Sequence, residues 1–326
     1  MPPVVSVVMS VYNGQPYLHA AIKSILEQTY TDYEFIIIDD ASTDQSKEII
    51  ESFDDSRIRL LENSENLGLT RSLNRGLSAA QGAFVARMDA DDVSFPGRFM
   101  AQVEALQRSE AKIAFPRVKK IDTCSGKTFE ITEIPWGLTR WRSLFANAYG
   151  NHSSVMFERL DVWELGGYDH KYAYTQDYEL WDRCVNNGFQ FVYIPKILNC
   201  YYLRSNSISR HHWEKQDQFA RKVSYRALRR FLPGLTDQES LGLRWLFLPW
   251  EHQVSQDVIA DGLKYAPTLL DAFMDGCPHD RQLVWGEAAA SIAYRVASMG
   301  ASNRRLGYTL MGRCLKQSGQ IQTLIK

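Results

Sequence analysis

Phe84-Val85-Ala86-Arg87-Met88-Asp89-Ala90-Asp91-Asp92 is the stretch on which the reading of this chain turns. A short apolar run ends in three carboxylates within four residues. Read as a buried strand, it delivers Asp89, Asp91 and Asp92 to its carboxyl end, the edge at which open α/β sheets bind ligands. Clustered carboxylates repel one another and need a positive partner; a hard divalent cation held by oxygen ligands suits them. Alone, the run reads more simply as a solvated acidic turn ahead of the helix that Pro96 opens. Its surroundings decide between the two.

Upstream, Val4 to Val11 is almost continuously apolar and β-branched, as expected of a central parallel strand covered on both faces. Asn13-Gly14 breaks it, and Tyr17 to Gln28 takes helical spacing through Leu18, Ala21, Ile22 and Ile25. Tyr33 to Ile38 reads as a second buried strand ending at Asp39-Asp40, with Ser42-Thr43-Asp44 offering N-cap chemistry to a helix through Ile49 and Ile50. A short strand at Ile58 to Leu61 and a helix at Thr70 to Ala80 lead into Phe84. Four strands alternating with helices predict a parallel, Rossmann-like sheet flanked by helices, an α/β fold.

Downstream the pattern changes. A helix is expected from Pro96 to Ser109, and strands at Ile113 to Val118, Lys127 to Glu133 and Ser153 to Phe157. Helices are expected at Trp141 to Ala148, Arg159 to Leu165 and Tyr178 to Asn187, then strands at Phe191 to Ile194 and Ile197 to Leu203. Beyond His211 every signal is helical. The sequence therefore divides into an α/β domain over 1–210 and a C-terminal helical region over 211–326.

The 326 residues are 45% hydrophobic and 23% charged, enough apolar material for a proper core. A formal net charge of -1 gives no global basic field to attract nucleic acid. Five scattered cysteines without C-x-x-C spacing argue against a disulfide framework or a zinc site, and for a reducing compartment. The amino terminus lacks a basic n-region, and no run reaches the roughly 18 apolar residues of a membrane span. The expectation is a cytoplasmic protein, soluble or peripheral at the inner face of a membrane.

Three of the first four strands end in polar clusters: Ser10-Val11-Tyr12-Asn13, Asp39-Asp40 and Asp89-Ala90-Asp91-Asp92. A doubly wound sheet brings such ends to one crevice of nucleotide size. No G-x-G-x-x-G follows the first strand and no G-x-x-x-x-G-K-[ST] occurs, so the cradle is not of the dinucleotide or P-loop kind. A bound cation can hold a diphosphate instead.

At this point the residues resemble a family. Val5-Ser6-Val7-Val8-Met9-Ser10-Val11-Tyr12-Asn13, Ile38-Asp39-Asp40-Ala41-Ser42-Thr43-Asp44, Asn66-Leu67-Gly68 and Arg87-Met88-Asp89-Ala90-Asp91-Asp92 are similar to the family 2 glycosyltransferases of the GT-A fold. The likeness continues through His152-Ser153-Ser154-Val155-Met156-Phe157, Gly166-Gly167-Tyr168-Asp169 and Gln176-Asp177-Tyr178-Glu179-Leu180-Trp181, covering about residues 3 to 210. It implies a UDP-sugar donor, a divalent cofactor (Mn²⁺ or Mg²⁺), and a saccharide or lipid-linked acceptor in bacterial surface-polysaccharide assembly. In this scheme Asp40 would accept the imide N–H of uracil, Ser10 and Tyr12 would line the base pocket, and Arg71 would reach the base or a phosphate. Asp89 would hydrogen-bond the ribose and Asp91 would bind the cation, with Asp92 beside it; sequence alone does not rank the two. Asp177 would be the base that deprotonates the acceptor hydroxyl, although a carboxylate at a helix start is also a common cap. Direct displacement would invert the anomeric centre.

Gln176 departs from the pattern, standing where the family often has Glu. His152 is a candidate for the sugar pocket or an ordinary core-edge histidine. Tyr202 to Ser209 resembles the family's closing loop, and His211 after it is a candidate third metal ligand. Trp136 and Trp181 read as packing. In the tail, Lys222, Arg226, Arg229 and Arg230 share a helical face, and Trp245-Leu246-Phe247-Leu248-Pro249-Trp250 is apolar; the pair reads as ordinary packing or as a peripheral membrane contact. Rival readings are a non-catalytic nucleotide-sugar-binding module and a dinucleotide-dependent oxidoreductase; the missing glycine fingerprint speaks against the second.

Overall fold

The structure, a computed structural model, describes residues 1–131, 134–204, 212–248, 254–276 and 280–319. It divides into two compact units, Met1–Glu133 with Gly150–Gln216, and Ile134–Tyr149 with Asp217–Lys326. The boundary after Gln216 lies six residues beyond the 210/211 division drawn from the sequence, and 134–149 packs with the helical unit. The cause is hydrophobic burial, because Leu138, Trp141, Leu144 and Phe145 are part of the helical unit's core.

In the first unit the expected alternation is present. It runs β1 (Val5–Val11), α1 (Gln15–Leu26), β2 (Tyr33–Asp39), α2 (Ser46–Glu51), β3 (Ile58–Glu62), α3 (Leu69–Ala79) and β4 (Phe84–Asp89). These four strands are parallel, in the order β3-β2-β1-β4. Register puts Val11 beside Asp39 and Ser10 beside Asp89, so the polar strand ends are level. Strand β1 is buried along almost its whole length and β2 throughout, as their continuous apolar character requires. Gly76 lets α3 press on the sheet, since a Cβ there would lie 2.4 Å from a Val8 methyl.

Past β4 come β5 (Val93–Ser94), α4 (Arg98–Gln107), β6 (Ile113–Asp122) and β7 (Thr128–Ile131). In the second unit's insertion lies α5 (Trp136–Arg142), and the first unit resumes with β8 (Met156–Glu158), α6 (Arg159–Glu164), α7 (Gln176–Asn186) and β9 (Phe191–Leu203). The sheet continues β4-β8-β6-β9-β5, with β7 on β6. Strand β8 joins antiparallel to β4, while the long β6–β9 pair is parallel, leaving most paired residues in parallel ladders.

Several details differ from expectation. Residues His152–Ser154 form a 3-10 turn, so the strand expected from Ser153 begins only at Met156. The two strands expected on either side of Pro195 are one, with a register shift where Pro116 meets Ile194 and Arg117 meets Ile197. Proline has no N–H for the ladder, and a bulge absorbs it. The two-residue β5, directly after Asp92, was not foreseen; it pairs with Asn199 and Cys200 of β9.

The helical unit contains α5 and most of α8 (Trp213–Phe231), then α9 (Asp237–Phe247), α10 (Gln256–Gly276), α11 (Arg281–Val296) and α12 (Ala301–Gln317). Helices α9 and α10 touch where Gly242 meets Gly262; a Cβ on Gly242 would lie 2.3 Å from the Val258 carbonyl oxygen. Thr236 and Glu239 form a capping box on α9. Trp245, Leu246, Phe247 and Leu248 are buried in this core, which makes that aromatic run packing, not a surface. Pro249 and Trp250 lie outside the described residues. Among the described residues, no helix is long and apolar enough to cross a membrane.

One buried cation pins the carboxyl end of β4. Arg98, at the start of α4, is fully buried and donates from Nη2 to the Arg87 carbonyl (2.6 Å) and the Val155 carbonyl (3.2 Å), and from Nε to Gln102 (3.0 Å). Burial, and then the neighbouring Arg87 charge, bring its pKa down to about 9, so it stays charged at neutral pH. Arg98→Met removes these donors, takes the guanidinium from the Arg87 carbonyl and Gln102, and leaves the Val155 carbonyl with the Arg87 N–H alone (2.9 Å). It should lower unfolding stability by about 3 kcal/mol, read as a fall in the urea midpoint at unchanged slope.

Candidate active site

The crevice is built from the strand ends upward. After β1 and β2 the chain turns through two left-handed residues, Asn13 (φ 53°) and Ala41 (φ 59°). For alanine that conformation costs about 1–2 kcal/mol, and it is held by bonds between the two loops. The Asn13 N–H donates to Ser42 Oγ (3.0 Å), Gly14 N–H to Ser46 Oγ (2.9 Å) and Gln15 N–H to Asp44 Oδ2 (3.0 Å), while Thr43 N–H donates to Asn13 Oδ1 (2.8 Å). The Ser42–Ser46 segment therefore serves the amino end of α1. Helix α2, which it was expected to cap, is served as well: Asp44 Oδ1 accepts the N–H of Ser46, the first residue of that helix (3.0 Å), although Gln45 itself makes no side-chain cap. Burial pushes the Asp44 pKa up, but the bonds from Ser46 and Gln15 outweigh it and leave the carboxyl below its ordinary value.

Asp40 is buried and bonded from three sides. Its Oδ1 accepts from Asn63 Nδ2 (2.6 Å) and Leu67 N–H (2.9 Å), and its Oδ2 from Gly68 N–H (2.9 Å). It fixes the Asn66-Leu67-Gly68 turn, in which Gly68 has φ +82°. A carboxylate oxygen has room for two donors, so Oδ2 retains one acceptor position.

The three carboxylates after β4 occupy different environments. Asp89 pairs with the buried Arg87, whose pKa burial would lower but Asp89 raises. Asp92 is almost fully buried; its Oδ1 accepts from the Tyr202 N–H (3.1 Å), and its Oδ2 has no hydrogen-bond partner among the described residues. Burial first, then Asp89 and Asp91, push its pKa well above the ordinary value. The Asp91 side chain is 39% exposed. Its pKa rises to about 6, through desolvation and then Asp89, opposed by Arg204 and Arg87. Arg204, just past β9, donates from Nη2 to the Asp91 carbonyl (2.8 Å) and brings Nε to 3.6 Å from Asp91 Oδ2. Its guanidinium lies 3.4 Å from the centroid of the Tyr17 ring.

Arg87 links this cluster to the other side of the site. Its charge acts on both His152 and Tyr168, whose ring nitrogen and hydroxyl are 2.9 Å apart. Desolvation and Arg87 hold His152 well below its ordinary pKa, so the imidazole is neutral at pH 7. Tyr168 is buried and raised by desolvation, and it feels Asp177 as well as Asp89. Its backbone is clamped by Asn74, which donates to the Tyr168 carbonyl (2.7 Å) and accepts its N–H (2.9 Å). The clamp follows Gly166 and Gly167, both left-handed, and a Cβ on Gly167 would meet Asn74 Oδ1 at 2.7 Å.

Asp177 is half-buried in the first turn of α7. Glu179, two residues further, is committed to Arg183, which also donates to the Gly167 carbonyl at 2.6 Å. Gln176 is buried, and its Oε1 has no partner among the described residues. Ser10 is half-buried, Tyr12 is 52% exposed, and Arg71 is exposed in the first turn of α3. Trp181 is fully buried, edge-on to Phe115, as a packing residue should be. His211 lies outside the described residues. Arg98, and the contact of Arg204 with Asp91, escaped the sequence reading.

Among the described residues no three His, Cys, Asp or Glu side chains form a ready metal cage. The donor set still fits a hard cation: oxygen ligands, burial and then mutual repulsion that raise two pKa values, and a buried Asp92 oxygen unmatched among the described residues. Such a site takes its remaining oxygens from a ligand such as a diphosphate.

A level crevice of carboxylates on this curled, mostly parallel sheet, with helices following, defines a GT-A glycosyltransferase fold. The family described as Glycosyl transferase family 2 matches residues 6–166. An uncharacterised glycosyltransferase of Haemophilus influenzae is 31% identical over 245 residues, 68% of this chain and 72% of its own length. The chain belongs to glycosyltransferase family 2. A second relative is the Escherichia coli UDP-Glc:alpha-D-GlcNAc-diphosphoundecaprenol beta-1,3-glucosyltransferase WfgD, 27% identical over 208 residues, 63% of this chain and 79% of the relative. Among solved structures, S. aureus TarS 1–349 in complex with UDP-GlcNAc is similar with a TM-score of 0.60 at 14% identity, covering 97% of this chain and 92% of that one. The mannosyltransferase PcManGT of Pyrobaculum calidifontis, in complex with GDP-Man and Mn²⁺, gives 0.51 at 19%, covering 97% and 81%. At these identities the likeness is one of fold.

The Asp91 environment carries a signed prediction. A carboxyl whose folded pKa is raised makes its ionised form a burden on the fold, a burden absent in acid and full above about 6. Asp91→Asn should therefore stabilise the cation-free protein at pH 7.5, by about 1 kcal/mol once solvent screening is allowed for. The gain should shrink as pH falls through about 6. Thermal midpoints of both proteins across pH, in chelator, measure it.

Proposed function

We propose that the protein is an inverting, metal-dependent transferase that moves a sugar from a UDP-sugar to a hydroxyl of a saccharide or lipid-linked acceptor, in surface-polysaccharide assembly. The observation that carries this reading is the level juxtaposition of Ser10, Asp39 and Asp89 at the ends of β1, β2 and β4, with half-exposed Asp91 leading out of it. The donor class is supported by the UDP-GlcNAc complex of TarS and the UDP-Glc specificity for which WfgD is named, and the acceptor class by WfgD.

In this reading Asp40 offers its remaining Oδ2 position to the uracil imide N–H, in a pocket with Ser10 and Tyr12, and Arg71 reaches the base or a phosphate. Asp89, oriented by Arg87, accepts from the ribose. Asp91 would hold Mn²⁺ or Mg²⁺, with Asp92 as the neighbouring or alternative ligand; His211, the further candidate, lies outside the described residues. The Mn²⁺ of PcManGT lends the cation support from the same fold. When bound, the cation neutralises charge on the leaving diphosphate. Asp177 takes the proton of the acceptor hydroxyl as it attacks the anomeric carbon, so that displacement is direct and inverts the centre. Its nearness to Tyr168, which also senses Arg87 and Asp89, supports a base on the same crevice as the donor carboxylates.

Two measurements test the reading. A UDP-sugar with Mn²⁺ should raise the thermal midpoint, and chelator should abolish the shift; no response to any nucleoside diphosphate in either condition would sink it. Asp177→Asn should keep that shift while turnover drops at least about a hundredfold. Unchanged turnover would remove Asp177 from the chemistry.

A further inference from the structure

We propose that the outer face of α12, with the exposed aromatic residue of α11 next to it in sequence, is a docking surface for an anionic phospholipid bilayer. This rests on the helical unit alone and is independent of the transfer reaction. Charge is segregated along the chain: the whole carries -1, yet after Glu287 there are six basic residues and no acidic one. The α12 helix turns Asn303, Gly307, Leu310 and Cys314 inward. On its opposite side Arg305 and Lys316 are exposed, with Leu306 and Tyr308 more than half exposed on the same helix. On α11, Tyr294 is 66% exposed.

The basic residues of α12 divide by what they already hold. Arg313 pairs with both oxygens of Asp271 (2.6 and 2.8 Å), and Arg304 donates to the Met299 carbonyl (3.0 Å). Arg305 and Lys316 have no ion pair among the described residues, so their charge faces outward uncompensated. An exposed tyrosine and leucine among uncompensated cations is the anatomy of an interfacial helix, with apolar groups entering the headgroup zone and cations meeting lipid phosphates. The surface that the sequence suggested is less apt. Its aromatic part, Trp245 to Leu248, is core, and Arg229 is paired with Asp237.

The test uses full-length protein and vesicle flotation. Vesicles containing phosphatidylglycerol should carry the protein, pure phosphatidylcholine vesicles should not, and added salt should weaken the binding. Arg305→Gln with Lys316→Gln should reduce partitioning about thirtyfold. Leu306→Ser with Tyr308→Ser should reduce the salt-resistant fraction. All four positions are exposed, so circular dichroism and thermal midpoint should match wild type, as should transfer to a soluble acceptor. Equal binding to neutral vesicles, no binding, an unaffected double variant, or tighter binding to polyuridylate RNA than to anionic vesicles would each overturn the proposal.

Discussion

Three carboxylates at the end of a buried strand set the terms for the first unit. Two like charges 4 Å apart repel by about 4 kcal/mol at an effective dielectric of 20, and here Asp89, Asp91 and Asp92 follow within four residues. The fold answers with three arginines from separate elements. Arg87 reaches forward along β4 to Asp89, Arg98 comes from α4 to the carbonyls beneath, and Arg204 arrives from the end of β9 over Asp91. The arginines in turn crowd one another, which adds to burial in depressing Arg98 to about 9. The two-residue β5 matters because its pairing with Asn199 and Cys200 brings the end of β9, with Tyr202 and Arg204, back to Asp92 and Asp91.

Burial separates acidic residues that already hold protein groups from those that stand more open in the crevice. Asp40 holds the 66–68 turn, Asp44 ties two loops to α1, Asp92 receives the β9 backbone, and Glu179 is consumed by Arg183. Each holds protein donors before any ligand arrives, with Asp40 keeping one Oδ2 position and Asp92 one unmatched oxygen. Asp89, Asp91 and Asp177 are the partly exposed members, two at the end of β4 and one at the amino end of α7. The two neighbours differ in kind: Asp91 is the more exposed, while Asp92 is buried, with one oxygen on the Tyr202 N–H and the other unmatched among the described residues.

What was legible in the sequence followed local rules. Continuous β-branched runs announced β1, β2 and β4, and their polar ends announced the crevice, because period and strand-end chemistry are properties of adjacent residues. Arg98 was not legible: a basic residue opening a helix after Phe95-Pro96-Gly97 looks like a surface residue, and only tertiary contacts bury it. The same holds for 134–149, whose apolar residues fit either unit until packing assigns them, and for Trp245 to Leu248, whose hydrophobicity is identical in a core and on a membrane surface. The Ser42-Thr43-Asp44 cap was legible in part: Asp44 does take the first N–H of α2, but its other oxygen and the Ser42 hydroxyl also serve the start of the neighbouring helix across the strand ends, which no local rule announces. His211 lies outside the described residues.

Gln176 shows how the start of α7 is arranged. A glutamate there would place a second negative charge in a position more than nine-tenths buried, beside Asp177 in sequence. A buried charge needs a partner, and among the described residues none stands ready: even the neutral Oε1 of Gln176 is unmatched. The nearest cation in sequence along α7, Arg183, is already held by Glu179 and by the carbonyls of Leu165 and Gly167. The amide therefore removes a desolvation cost that this packing could not offset. It also spares the helix start a like-charge pair at adjacent positions, so that in the proposed reaction Asp177 would meet the acceptor hydroxyl beside a neutral neighbour.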